Sequence, residues 1–373
     1  MSTRNSFGCR ISDVGRRLAI VVGVGLPTIL NAQSRRDTTV KVTWGGFVDS
    51  YYAWDFGEPQ TFDRSFDGGV PFTTQPTRHN EFNVNLAFVE AKLEGSSVHG
   101  RLAVQMGTSV QSNYSAEPTN GLFSGPELAR FLQEAFVGAQ VAENLWIDAG
   151  VFFSHMGMES WISRDNPTYT RSLVAEYSPY YSSGVRGIWQ ATPKLTAHLH
   201  VVNGWQNISE NNTGKGAGIR LDYAANPSAT FSYYNFFSDE AGNLLRIFNG
   251  AGARVATGDF TFVGQVDVGD QDGVGDWYGF TAIGRYQMNP RAGVSLRLER
   301  FDDEDQVIIV TGTGNGPFQG NGASLGFDFA PLPRVLWRSE VRGWVNDASI
   351  FPSADNGPKD DSVFVVTSLA LTF

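Results

Sequence analysis

A two-residue rhythm of apolar and polar side chains runs through most of this sequence, kept for about eight to twelve residues and then broken by a turn. Successive side chains of a strand point to opposite sides, so the rhythm describes strands with two unlike faces. In 194–204, Leu195, Ala197, Leu199 and Val201 share one face and Thr196, His198 and His200 the other. In 216–224, Ile219, Leu221 and Tyr223 oppose Arg220 and Asp222; in 260–269, Phe260, Phe262, Val266 and Val268 oppose Gln265 and Asp267. In 292–302, Val294, Leu296 and Leu298 oppose Ser295, Arg297 and Glu299; in 335–346, Val335, Trp337 and Val341 oppose Arg338, Glu340 and Arg342. Charge is confined to one face. The segment 79–93 departs from the rule, because Phe82, Val84, Leu86 and Phe88 fall in step with Glu90 and Lys92. Either that strand has left an apolar band by Glu90, or a bulge exchanges its faces.

The rhythm predicts sixteen strands, at 40–55, 79–93, 98–112, 131–141, 145–154, 182–191, 194–204, 216–224, 229–237, 245–255, 260–269, 277–288, 292–302, 319–330, 335–346 and 362–373. Their connections alternate. Short ones fall at 94–97, 142–144, 192–193, 225–228, 256–259, 289–291 and 331–334. Between them lie long ones at 56–78, 113–130, 155–181, 303–318 and 347–361, with intermediate loops at 205–215, 238–244 and 270–276. A soluble sandwich would show the same two-faced strands, but nothing in it requires long and short connections to alternate. An outer-membrane barrel does, since it has an even number of strands, short periplasmic turns and longer external loops. Lipid cannot satisfy polar groups, and an arginine facing the middle of a bilayer costs about 2–4 kcal/mol, so the charged faces belong inside. A helical membrane protein would need runs of about 20 apolar residues, which this sequence lacks. The expectation is an all-β, transmembrane, antiparallel up-and-down barrel of about sixteen strands with both termini periplasmic.

The ends of the chain fit export. Arg4, Arg10, Arg16 and Arg17 precede an apolar run from Leu18 to Leu30, and Ala32 supplies a small residue for cleavage. Residues 1–32 read as a signal peptide and 33–373 as the barrel. Cys9 precedes the apolar run, which disfavours a lipid anchor. Loss of 1–32 removes Cys9, four arginines and Asp13, leaving a cysteine-free chain more acidic than the full-length net charge of −10. That balance excludes nucleic acid as a partner. The last strand alternates through Val363, Val365, Thr367, Leu369 and Leu371 and ends on Phe373. A terminal strand ending in Phe resembles the signal read by the barrel insertion machinery. Trp44, Tyr52, Trp54, Trp189, Tyr223, Tyr278 and Trp337 sit near strand ends, where interfacial aromatic girdles belong.

Several short segments, in order, resemble a known family: GFVDSYY at Gly46–Tyr52, NPTYTRS at Asn166–Ser172, Gly184–Val185–Arg186, VNGW at Val202–Trp205 followed by an Asn-rich loop with Gly214 and Lys215, and Phe301–Asp302–Asp303. With the terminal Phe, they look like the OmpL-like β-barrel porin family, the porin-2 group, over nearly the whole chain after 1–32. The resemblance implies a single-chain outer-membrane barrel that conducts small solutes, and no catalytic set.

The expected function is passive diffusion of small hydrophilic solutes through a water-filled lumen in the bacterial outer membrane, since sixteen strands enclose an aqueous channel. Pore-lining candidates are Asp49, Arg101, Glu134, Asp148, Arg186, Arg220, Asp222, Arg246, Arg254, Asp267, Arg285, Arg297, Glu299, Asp328, Arg338, Glu340 and Arg342. They are nearly balanced in sign, so a mixed-charge wall behind an acidic mouth would give at most a weak cation preference. The alternative is that they pair across strands and only hold the wall together. The longest loop, 155–181, is the third external one. By analogy with general porins it would fold inward, with Glu159, Arg164, Asp165 and Arg171 forming a constriction. The analogy also leaves a homotrimer as a candidate assembly. A non-conducting structural or adhesin-type barrel is the alternative function. No GxSxG, HExxH or P-loop occurs, so an enzyme is not expected. No cofactor or metal is expected either: His198 and His200 lack a third ligand, and Asp267, Asp270, Asp272 and Asp276 lack the spacing of a calcium loop.

Overall fold

The computed structural model describes residues 39–373, apart from 67, 68, 241, 243, 313, 315, 355 and 356. Residues 1–32, expected to be a signal peptide, and Cys9 lie outside the described residues. Sixteen strands follow one another: β1 Lys41–Asp55, β2 Phe82–Glu94, β3 Val98–Met106, β4 Leu132–Ala142, β5 Leu145–Phe153, β6 Tyr181–Thr192, β7 Leu195–Val202, β8 Gly216–Asn226, β9 Ala229–Asp239, β10 Leu245–Thr257, β11 Phe260–Gln271, β12 Gly275–Asn289, β13 Ala292–Asp303, β14 Phe318–Phe329, β15 Val335–Asn346 and β16 Asp361–Thr372. Each pairs antiparallel with its sequence neighbours, and β1 pairs with β16, so the sheet is a closed barrel. Nearly all run 9–15 residues, enough to cross a bilayer's hydrocarbon core at the usual tilt. Among the described residues no helix is long and apolar enough to cross a membrane.

The closing seam runs from Phe47 opposite Thr372 to Asp55 opposite Phe364. Gly46 and Phe373 complete it, exchanging backbone hydrogen bonds of 3.0 and 3.1 Å. The predicted alternation sorts side chains as expected. Leu199, Val201, Phe260, Phe262, Val266, Leu296, Leu298, Leu325 and Val341 are exposed on the outside, while Arg297, Glu299, Arg338, Glu340 and Arg342 are buried inside. Trp44, Trp189, Tyr223, Tyr278 and Trp337 are exposed outside as well.

The irregular second strand is explained by a bulge. The β1–β2 register shifts between Asp49 and Ser50, with Asp49 opposite Leu86 but Ser50 opposite Val84, so Asn85 is extra. Phe82 thereby faces out, 88% exposed, while Leu86 and Phe88 are buried inside with Glu90 and Lys92 on their face. One boundary is corrected. The strand expected over 98–112 ends at Met106, and Thr108–Asn113 form a short helix, α1. Gly107 causes the break: its φ is 136°, and a Cβ there would lie 2.3 Å from the Asn85 carbonyl oxygen.

The lipid-facing assignment of β13 yields a test. Leu298→Arg is expected to lower the free energy of unfolding by about 2–4 kcal/mol, read by denaturant titration in lipid vesicles. A loss below about 0.5 kcal/mol would show that this face does not meet hydrocarbon.

Candidate functional site

The connection between β5 and β6 turns into the barrel and is held there by the wall. Its chain is rich in Ser, Thr and Pro and forms no long helix or strand, so its backbone groups need other partners. The inward side chains of the strands supply them. Arg220 on β8 donates from Nη1 to the carbonyls of His155 and Gly157, both at 2.8 Å. Gln265 on β11 accepts from the Met158 N–H at 2.9 Å. Met158 occupies the space over Gly252 of β10, where a Cβ would lie 2.4 Å from its Cγ. Across the barrel, Asp49 on β1 accepts from Ser163 Oγ at 2.9 Å. Arg338 on β15 donates to the carbonyls of Ser163, Asn166 and Pro167 at 2.6, 3.2 and 3.1 Å. Arg297 on β13 donates to the Thr170 carbonyl at 2.6 Å, and Glu340 accepts from the Thr170 N–H at 2.8 Å. The loop closes with a short helix, α2 (Leu173–Glu176), whose first N–H reaches Glu299 at 2.8 Å.

The same wall residues pair with each other. Arg297 meets Glu340 at 2.9 Å, Arg342 meets Glu299 at 2.7 Å, and Arg338 meets Asp328 at 2.7 Å. These groups are buried, and a buried ion pair is tolerable only when its remaining hydrogen-bonding capacity is filled. The loop backbone and Thr168 and Thr170 fill much of it.

A second inward segment lies against the first. In 56–81, Phe66 and Phe72 pack with Phe318, Trp344 and Phe351 in an apolar cluster that also takes in Tyr169, Leu173 and Val174 of the long loop. Thr74 donates to Glu176 from both its N–H (3.0 Å) and its hydroxyl (2.7 Å), and Gln75 donates to the Trp161 carbonyl at 3.0 Å. Inward side chains nearer the short turns are wetter. Lys92 is 47% exposed, His99 32% and Arg285 20%, and Arg254 is exposed too. There Arg101 lies between Glu90, at 2.6 Å, and Glu134, while Asp148 accepts from Arg186 at 2.8 Å and lies 2.6 Å from His99 Nε2.

All seventeen wall residues singled out in the sequence stand on the inward face. They divide into two sets. Asp49, Glu134, Asp148, Arg246, Asp267, Arg297, Glu299, Asp328, Arg338, Glu340 and Arg342 are buried. Arg101, Arg186, Arg220, Asp222, Arg254 and Arg285 keep contact with solvent. Asp267 accepts from Tyr234 Oη at 2.7 Å and is thus separated from the exposed Asp270 and Asp272.

The four loop residues also divide. Arg164 and Asp165 are partly exposed, 3.3 Å apart, and Arg164 is tied to the Thr372 hydroxyl. Glu159 accepts from Ser172 and borders a cavity of about 280 Å³ lined also by Met156, Met158, Trp161, Ala175 and Tyr180; burial raises its carboxyl above the usual carboxylate range. Arg171 is fully buried, its guanidinium 3.6 Å from the Tyr180 ring centre and 4.6 Å from that of Trp161, with Thr74 and Glu176 beside it. Among the described residues, no group of three His, Cys, Asp or Glu is placed to hold a metal ion. Sequence reading missed the inward course of 56–81 and the part of His155, whose partners lie on strands distant in the chain.

A closed sixteen-stranded barrel, apolar outside and charged inside, with its third long loop drawn into the interior, is the architecture of a porin. The chain belongs to the beta-barrel porin-2, OmpL-like family, whose model matches residues 41–373. It is thus a porin of the bacterial outer membrane. Solved structures with the same fold include the anion-selective porin from Comamonas acidovorans, at 10% identity over 90% of this chain and 100% of that one, TM-score 0.56. The outer membrane channel DcaP of Acinetobacter baumannii is 12% identical over 90% and 98%, TM-score 0.57. OmpF of Salmonella typhi, solved with daunomycin, is 12% identical over 89% and 98%, TM-score 0.58. No curated protein matches this chain in sequence.

Arg338 reaches three loop carbonyls and Asp328, so its removal tests the clamp. Arg338→Ala is expected to weaken the loop's attachment by about 3 kcal/mol and to open Arg164 and Arg171 to trypsin while the barrel stays folded. Unchanged cleavage kinetics would show that the loop is held without it.

Proposed function

We propose that this porin passes small hydrophilic solutes by passive diffusion, with the loop 155–181 setting the width of the passage. The observation that carries this reading is the loop's attachment to opposite walls, through Arg220 on one side and Asp49 and Arg338 on the other. Glu159, Arg164 and Asp165 are the loop groups a solute meets, and Arg171 holds the loop in shape. Lys92, Arg101, Arg186, Arg220, Asp222, Arg254 and Arg285 line the wet part of the wall. The buried set Arg297, Glu299, Arg338, Glu340 and Arg342 positions the loop and does not touch solute.

In this reading the short turns and both ends of the strand order are periplasmic. Residues 1–32 direct export and are removed, and the strand ending in Phe373 is read during insertion. The barrel performs no chemistry of its own and assembles as a homotrimer. One feature favours a second reading, a barrel that conducts little: the two inward segments share an apolar core with the wall.

Planar-bilayer recording separates the two readings. Deletion of 159–170 is expected to raise single-channel conductance severalfold, provided that the variant keeps the heat-modifiable mobility of a closed barrel. Equal conductance with and without the segment defeats the constriction. Silence of both proteins favours the structural role.

A further inference from the structure

Three of the five histidines meet where the long loop leaves β5. His155 is the loop's root, and its ring stacks on that of His200 of β7 with centres 4.2 Å apart and planes 21° apart. His198, two residues before His200 on the same face, lies 6.2 Å from His200 and 3.7 Å from Asp222. The root fits closely against β8 because position 218 is glycine: a Cβ there would come within 2.4 Å of His155 Nε2. His155 Nε2 donates to the Asn235 carbonyl of β9 at 2.8 Å, leaving Nδ1 as the lone-pair nitrogen. That Nδ1 and both ring nitrogens of His200 are buried without a hydrogen-bond partner.

The surroundings are cationic. Arg186 of β6 stands directly opposite His200 in the strand register, and Arg220 of β8 stands opposite His198. Arg220 is also the guanidinium that holds the carbonyls of His155 and Gly157. The carboxylates nearby are already engaged, Asp148 by Arg186 and His99 and Asp222 by Arg220. Phe152 closes the side of His200 edge-on, with ring centres 5.7 Å apart.

We propose that the His155–His200 stack is a proton-operated latch on the root of the long loop, which releases as the medium turns acidic. A proton added to the stack places like charge against its partner ring and against Arg186 and Arg220, with no free carboxylate to receive it. Swinging the root out to water relieves this, because the far side of the loop stays tied by Arg297 and Arg338. The latch rests on the reading of this loop as the element that sets the passage, and adds a control on it.

The direction follows from linkage. Burial pushes the His155 imidazole down from its ordinary value of 6.5 to about 4. A histidine depressed in the closed state contributes stability that is complete above its ordinary value and is lost as pH falls toward the depressed one. The window is therefore pH 6.5 down to 4.

Hydrogen exchange of the amides at 155–160, corrected for the intrinsic rate, reads the latch without requiring conduction. Between pH 7.5 and pH 5 the wild-type barrel is expected to gain on the order of tenfold in opening at the root, with the amides of 166–171 little changed. The double variant His155→Gln, His200→Phe keeps a donor for Asn235 and a ring in the stack but nothing to titrate, and should show no gain. An unchanged wild-type root at pH 5, or an equal gain in the double variant, overturns the latch. Bilayer conductance at pH 7.5 reports on the channel itself: a silent barrel with an acid-released root sinks the passage and leaves the latch.

Discussion

Hydrocarbon offers no hydrogen bonds, and every feature of this structure follows from how the chain meets that condition. A sheet in lipid can leave no edge, because each unsatisfied backbone group there costs several kcal/mol. The β1–β16 seam removes the edge, running from Phe47 and Thr372 to Asp55 and Phe364, with Gly46 and Phe373 bonded beyond it. Once the seam is made, the pleat sends alternate side chains to lipid and to the interior. A slip of one residue would turn Arg297, Glu299, Arg338 and Arg342 outward together. The bulge at Asn85 shows the same constraint in miniature: by exchanging faces once, β2 sends Phe82 out and keeps Glu90 and Lys92 in.

The interior then has charge to dispose of and an irregular loop to satisfy, and each problem answers the other. A loop without repeating structure presents carbonyls at no fixed spacing. A guanidinium offers five donors in a planar fork, so one arginine can bond a carboxylate on its own wall and carbonyls of the loop at once. Arg338 does so with Asp328 and with Ser163, Asn166 and Pro167. Glu299 and Glu340 take the complementary part, accepting from the backbone of Leu173 and Thr170. A lysine ammonium carries its three donors on one nitrogen and lacks this planar spread; among the described residues the buried cationic positions of the wall, Arg246, Arg297, Arg338 and Arg342, are all arginine.

The barrel was legible because its signal is local and repeated: alternation, connection length and a terminal strand can be read along the chain. What escaped depended on contacts between distant segments. Alternation carried β3 past Gly107, because Val110 suits a strand as well as the helix it joins, and the deciding contact is with Asn85 on another strand. The inward face of Arg297 and Arg338 was readable, but nothing along the chain distinguishes an arginine facing water from one facing a loop of more than a hundred residues earlier. His198 and His200 were visibly paired. Their neighbour His155 lies in a different connection, and only the folded loop brings it to them.

The two attachments of the long loop differ in kind, and that difference gives the interior its division of labour. On the side of β13 and β15 the loop is held by the ion-paired residues Arg297, Glu340 and Arg338, reinforced by the apolar packing of Tyr169, Leu173 and Val174. On the side of β7 to β9 it is held by one guanidinium and by imidazoles whose fit depends on being uncharged. A proton taken up by the imidazole stack therefore acts at that end of the loop. An element anchored in this way can change its position without losing its place, because the apolar core and the arginine clamp supply a fixed point about which the root can turn.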